Sequence, residues 1–371
     1  MDRTIWDHFA VVGDPRIERQ KKHKLKDILV ISLCGMICGL EHWTQMEDFA
    51  KTHEDWFREF LELANGIPSH DTIGRVFAAL DPDEFEKAFQ AWVHDLAGSS
   101  AGKHIAIDGK TLRQSFDRAT AKSAVHMVSA WVHENHAVFG QVKVDDKSNE
   151  ITAIPKLLKM LSLDDATITI DAMGCQRKIS DQIVKQGGDY VLAVKSNQGS
   201  LHEDIQLYMD TAIAEGFPAE YDKYETIEKG HGRIEKRQCW MTNDVQWLNK
   251  QHNWPGLSSV AAVEAQRTVN GKTSVERRYF ISSHKGRCAQ RIATAVRNHW
   301  RVENQLHWTL DVCFGEDSSR VRIENAAENL SRMRRIALTL LKQEKTVKMG
   351  VKAKRMKAAY DRKYLLKVLK I

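Results

Sequence analysis

Apolar side chains recur every three or four positions through Ile28–Leu40, Met46–Leu63 and Thr72–Leu80, which predicts helices packed on one face. Ile28–Leu40 is apolar nearly all round, so its helix is expected to be buried. Pro68-Ser69-His70-Asp71 is a helix-start signal, with Ser69 or Asp71 as the cap. The small-residue stretch Ala97 to Gly102 then marks a loop and a domain boundary. Beyond it the period changes. His104–Asp108, His126–His133 and Ala137–Val144 read as strands, the last two joined through Glu134-Asn135-His136. A helix over Glu150–Leu161, a strand Thr167–Ile170, a helix Gln176–Gln186 closed by Gly187-Gly188, and a strand Tyr190–Val194 follow.

That order, three meandering strands and then strands linked by helices, suits an α/β domain with a ribonuclease-H-like sheet, although other α/β folds share parts of it. Leu201–Ala214 reads as a helix. Ile234–Met241, Ser259–Val269 and Ser274–Ser282 lean to strand, with Asn270-Gly271 as a hairpin turn between the last two. This gives a β-rich insertion over about 200–290. From Ala289 the pattern is helical to the end. The division expected is a helical N-terminal domain (1–97), a catalytic domain with its insertion (98–340) and a basic helical tail (341–371).

A chain of 371 residues is long enough for two or three domains. The net charge of +6 is a mild bias that fits an anionic partner without requiring one. Six cysteines without CxxC pairs, among them Cys34 and Cys38 in an apolar run, give no disulfide framework and no zinc-ligand spacing. The apolar run Ile28–Leu40 follows basic residues but is shorter than the roughly 20 residues a bilayer span needs, and no cleavage site follows it. A soluble, cytoplasmic protein with no membrane partner is expected. Neither glycine-rich phosphate-binding motif occurs.

Two acids close apolar strands: Asp108 after Ile105-Ala106-Ile107, and Asp171 after Ile168-Thr169-Ile170. Carboxylates there are held rigidly where open α/β sheets bind ligands. Gly109 leaves room for a backbone or a phosphate to come close. Phosphoryl transfer accounts for such a pair, because two divalent cations about 4 Å apart can activate a nucleophile and stabilise a leaving oxygen. A third acid is expected from Arg297–Trp308, where Trp300, Glu303 and His307 share a helix face. Spacing alone leaves Asp311, Glu316 and Asp317 open as rivals to Glu303.

The chain resembles the DDE transposases of bacterial insertion sequences, in the branch of the H-repeat-associated proteins found beside Rhs elements. The resemblance runs nearly end to end. It rests on Ser69–Val76 with Leu80-Asp81-Pro82, on Ile107–Lys110, on Thr169–Met173 and on Tyr190–Gln198. It rests also on Glu303–Val312 with Phe314 and Glu316-Asp317. It implies a ribonuclease-H-like core, two Mg²⁺ ions (Mn²⁺ as a substitute) and the catalytic, metal-binding triad Asp108, Asp171 and Glu303. Asp108 and Asp171 would bridge the metals, with Glu303 completing one of them. Cleavage at the element's ends and attack of the freed 3′-hydroxyl on target DNA would follow. Double-stranded DNA, as terminal inverted repeats and as target, is the implied partner, with a homodimer in the synaptic complex and association with the nucleoid when bound.

Many relatives carry Tyr, Arg and Lys around the catalytic Glu, where this chain has Val296, His299 and Leu310. Arg297, Arg301 and His307 are candidates for the same work. Lys110, Arg113, Lys195, Arg301 and His307 are the expected DNA contacts. Trp300 and Trp308 could stack on an unpaired base, but burial in the core is the expected use. From Lys342 to Lys370 eleven Lys or Arg face only Glu344 and Asp361, an imbalance that suits a nucleic-acid-facing tail. The N-terminal helices are expected to recognise terminal repeats. The rival readings are another ribonuclease-H-like nuclease and a domesticated transposase that only binds DNA.

Overall fold

Strand β1 (His104–Thr111) carries Ile105, Ala106 and Ile107, none with any exposed surface. Such an unbroken apolar run belongs in the middle of a sheet covered on both faces. In the computed structural model, which describes residues 4–117, 122–145, 148–230 and 232–370, β1 takes that place. It pairs antiparallel with β2 (His126–Val132), which pairs antiparallel with β3 (Ala137–Lys143). On its other side it pairs parallel with β4 (Thr167–Ile170), and β4 parallel with β5 (Asp189–Val194). Helices α7 (Glu150–Leu158) and α8 (Arg177–Lys185) make the crossovers.

The β-rich stretch is not a separate layer. Strand β9 (Lys272–Ser282) pairs antiparallel with β5, and β8 (Ser259–Val269), β7 (Arg233–Thr242) and β6 (Tyr221–Gly230) follow outward. The result is one nine-stranded sheet, in the order β3-β2-β1-β4-β5-β9-β8-β7-β6. Asn270 and Gly271 both take positive φ, 50° and 74°, as the two-residue turn between β8 and β9 requires. The sequence pattern missed β6. It lies at the sheet edge with its residues mostly exposed, so no apolar face marks it.

The N-terminal helices are α1 (Ile5–Ala10), α2 (Leu25–Ile37), α3 (Trp43–Thr52), α4 (Glu54–Phe57), α5 (His70–Ala79) and α6 (Pro82–Ala97). Ser69, not Asp71, caps α5, accepting from the Thr72 amide. The helix expected over Met46–Leu63 breaks at His53, whose ψ of 23° interrupts the helical path between α3 and α4. Helix α2 is buried along nearly its whole length.

Helices α9 (Ser200–Glu215) and α10 (Gln246–His252) flank the added strands. Next come α11 (Ala289–Val302), α12 (Trp308–Phe314), α13 (Ala326–Gln343), α14 (Val351–Tyr360) and α15 (Arg362–Leu369). Helix α13 packs against α2, α5, α6 and β3, so N-terminal helices and sheet share one apolar core. Its arginines are paired inside that core: Arg332 with Glu86 at 2.7 Å and Glu328 at 2.9 Å, Arg335 with Glu316 at 2.8 Å.

The basic C-terminal segment is helical and most of its cations are exposed, but two are buried. Arg355 is buried and its guanidinium donates to the Met36 carbonyl on α2. Lys354 is also buried, donating to the Leu341 carbonyl. Part of the charge excess thus satisfies backbone carbonyls within the fold. Among the described residues no helix is long and apolar enough to cross a membrane.

Candidate active site

The parallel register pairs Ala106 with Thr169 and Ile107 with Ile170. Asp108 is the next residue of β1, and Asp171 is the residue just past the end of β4. Strands lie about 4.8 Å apart, and equivalent positions in a parallel pair face the same way. The two acids therefore share one face of the sheet. Gly109 donates its amide hydrogen to Asp108 Oδ1 at 2.9 Å. Asp171 Oδ1 accepts from the Met173 and Gly174 amides at 3.0 and 3.3 Å, which fixes the carboxylate.

Helix α11 crosses that same face, touching β1, β4, β5 and the added strands β6, β7 and β8. His299 of α11 and His104 of β1 both hydrogen-bond the Thr169 hydroxyl at 3.1 Å. Burial depresses both imidazoles, His104 to about 3 and His299 to about 4, so they act as neutral hydrogen-bonding spacers. One turn beyond His299, α11 passes into a π turn, Glu303–His307, and then into α12. Such turns carry one extra residue and recur at functional sites. Lys342 of α13 donates to the Gln305 carbonyl within the turn at 2.7 Å and pins it.

The turn brings Glu303 to Asp108. Between them stands His307, its Nδ1 3.5 Å from Asp108 Oδ2 and 3.7 Å from Glu303 Oε2. One carboxylate oxygen from each acid and one ring nitrogen of His307 lie within 4.8 Å of one another. His307 is buried, whereas the Glu303 side chain is 66% exposed, so the site opens on the Glu303 side. Burial, with Glu150 and Asp171 adding negative charge, pushes the Asp108 carboxyl up to about 6 against the pull of His307. Glu303 is held below its ordinary value, chiefly by its interaction with His307. A buried acid raised by neighbouring carboxylates is relieved by a divalent cation, and the donor set fits one.

The rival third acids are occupied elsewhere. Asp311 lies 2.7 Å from Lys110 Nζ, Asp317 pairs with Lys110 and Arg113, and Glu316 lies in the core against Arg335. Lys110, expected on DNA, is therefore buried and neutralised inside the protein. Arg113 and Lys195 are exposed, and Arg113 keeps its bond to Asp317 at 3.2 Å. Arg301 is exposed and meets His133 at 2.8 Å. Arg297 pairs with Glu228 at 2.8 Å on the added strands. Of the three suggested substitutes, only His307 reaches the acids, and it points into the site rather than outward to DNA. Leu310 is buried in the core, while Val296 and His299 line a small cavity with Asp171, Lys195 and Trp300.

Trp300 and Trp308 are 48% and 57% exposed, contrary to the expected burial. The Arg278 guanidinium lies over the Trp300 ring, 4.5 Å from its centroid. Beside it a cavity of about 470 Å³ runs between α11 and the added strands, lined by Arg237, Arg278, Arg297 and Arg301 among others.

Two further side chains escaped the sequence reading. Glu150, at the start of α7, takes His126 Nε2 at 2.7 Å. A side chain at Gly109 would overlap the Glu150 carboxylate, so the approach Gly109 permits is that of an acid of this chain. Only the Asn149 cap before α7 hinted at this, and it says nothing about what lies across the strand.

Two families match the sequence: a DDE_Tnp_1-associated domain at residues 6–93 and a transposase DDE domain at residues 99–340. The H repeat-associated protein YhhI of Escherichia coli K12 is 42% identical, over 99% of this chain and 98% of its own. YncI of Escherichia coli O157:H7 is also 42% identical, over 99% and 94%. Among solved structures, the piggyBac transposase synaptic complex with hairpin DNA aligns at 10% identity and a TM-score of 0.45, over 99% of this chain and 77% of that one. With a transposase DDE domain over most of its length and relatives matched end to end, the chain belongs to the DDE transposases, in the H-repeat-associated branch of the insertion-sequence proteins.

Proposed function

We propose that this chain cleaves DNA at the ends of an insertion sequence and joins the freed 3′-hydroxyl to target DNA, with Asp108, Asp171 and Glu303 as its catalytic acids. What carries the reading is the meeting of Asp108 and Glu303, far apart in sequence, at a shared imidazole, with Asp171 just past the end of the adjoining strand. The strand order β3-β2-β1-β4-β5 supports a ribonuclease-H-like core within residues 98–340. A helical domain (1–97), the added strands (about 200–290) and the C-terminal helices (341–371) complete the proposed layout.

The same acids would hold Mg²⁺ or Mn²⁺, which supplies charge stabilisation and an activated oxygen nucleophile when bound. The chain's own groups do the positioning. Asp108 is fixed by β1 and the Gly109 amide. Asp171 is fixed by two backbone amides, which leaves its second oxygen for the site. Glu303 is the exposed member and closes the site from the substrate side. Neutral His104 and His299 keep α11 at a set height above the sheet without adding charge. Exposed Lys195, Arg301 and Arg113 would take phosphates, orienting the strand to be cut. Two copies on two element ends complete the reaction as proposed.

The test is a supercoiled plasmid carrying the element's terminal repeats. Asp108→Ala, Asp171→Ala and Glu303→Ala should each lose cleavage and strand transfer by about a thousandfold or more, while gel-shift binding to the repeats persists. Full activity in purified Asp108→Ala protein rejects the assignment.

A further inference from the structure

We propose that His307 is itself a metal ligand, so that the Asp108–Glu303 cation sits in a mixed oxygen and nitrogen site that favours Mn²⁺ over Mg²⁺. This rests on the reading that Asp108 and Glu303 hold a cation. The geometry argues for a ligand rather than a hydrogen-bonding residue. Nδ1 lies 3.5 and 3.7 Å from the two carboxylates, beyond the usual 2.7–3.2 Å of an N–H···O bond (about 2.9 Å at the mode). Donors about 2.1 Å from one octahedral ion stand about 3.0 Å apart when adjacent and about 4.2 Å when opposite. The observed 3.5 and 3.7 Å exceed the adjacent spacing by about half an ångström or slightly more, a gap that small side-chain movements close when an ion is seated.

The ring's surroundings point the same way. His307 is 6% exposed, and its Nε2 has no hydrogen-bond partner among the described residues. A buried imidazole with neither nitrogen in a normal hydrogen bond is an anomaly that a bound ion at Nδ1 resolves on one side. The ring is buried at the end of the π turn, four residues past Glu303. Mg²⁺ prefers oxygen donors, whereas imidazole suits later divalent metals, and Mn²⁺ accepts both.

The experiment uses full-length protein and Mn²⁺ alone, followed by electron paramagnetic resonance. Bound Mn²⁺ should show nitrogen modulation in electron spin-echo spectra, changing frequency when the histidines carry ¹⁵N. In His307→Asp protein Mn²⁺ should still bind but without that modulation. Its preference for Mn²⁺ over Mg²⁺ should fall about tenfold or more, since an all-oxygen site replaces the mixed one. Wild-type Mn²⁺ that is lost in Asp108→Asn protein yet shows no nitrogen coupling overturns the His307 assignment and leaves the carboxylate site standing. Mn²⁺ binding that Asp108→Asn leaves unchanged overturns the cation reading itself. The isotope comparison needs no variant, so a folding defect in His307→Asp protein cannot mask the answer.

Discussion

Lys110 Nζ stands 2.7 Å from the Asp311 carboxylate, tying β1 two residues beyond Asp108 to α12 four residues beyond His307. Lys110→Met would strand Asp311 and Asp317 beside each other in a partly buried space. Breaking a fully buried pair costs about 3–5 kcal/mol; Asp311 is 30% exposed, so about 2 kcal/mol is expected. Asp311→Asn leaves Lys110 its Asp317 partner and should cost about 1 kcal/mol or less. Urea denaturation of the two variants checks the asymmetry, and equal losses would contradict it.

Asp108 is predicted to weaken the fold as pH rises. Its folded pKa of about 6 lies above the ordinary carboxylate value, mainly through burial, so the folded state binds the proton more tightly. Stability from this group is complete below about pH 4, where both states are protonated, and is lost as pH climbs through about 6. Asp108→Asn should therefore be more stable than the parent at pH 8 by about 1–3 kcal/mol, with the gap closing towards pH 4. Denaturation curves at the two pH values measure it. Added Mg²⁺ or Mn²⁺ should stabilise the parent at pH 8 and not the Asn variant.

Glu316 is a core residue for all its place in the family signature. It and Arg335 are fully shielded from solvent, and Arg335 also donates to the Ser331 carbonyl. Glu316→Gln leaves a buried guanidinium without its counter-charge and should cost about 3–5 kcal/mol. The loss should appear in the melting temperature, with metal affinity of the remaining folded protein unchanged. A variant with normal stability and lost metal binding would instead return Glu316 to the acid site.

DNA affinity should separate the basic residues. Lys195→Ala and Arg301→Ala should each weaken binding and reduce the dependence of log K on log salt by about 0.9 per phosphate lost. Lys110→Met, whose charge is already compensated, should leave that slope alone. Fluorescence anisotropy across a salt series reads both quantities.

The strands that place Asp108 and Asp171 were legible because buried parallel strands are written as apolar runs with an acid at the end. The choice of Glu303 was not. Four acids within fifteen residues or so differ only in what folds against them, and Lys110, Arg113 and Arg335 come from distant segments. Strand β6 hid because its inner face carries Asp222, Tyr224 and Thr226, only partly buried, so no apolar alternation marks it. Composition alone does not separate the C-terminal cations that stay exposed, such as Lys345, Lys348 and Lys352, from those used inside the fold, such as Arg355 on the Met36 carbonyl. Trp300 and Trp308 misled, since large aromatics are usually buried and these are not.

Helix α11 rests on the original strands and on the added ones alike. The outer hairpins therefore work as a foundation for the third acid as well as an extension of the sheet. The Arg297–Glu228 pair anchors α11 to the edge strand β6, so the height of Glu303 above the sheet depends on the periphery as well as on the central strands.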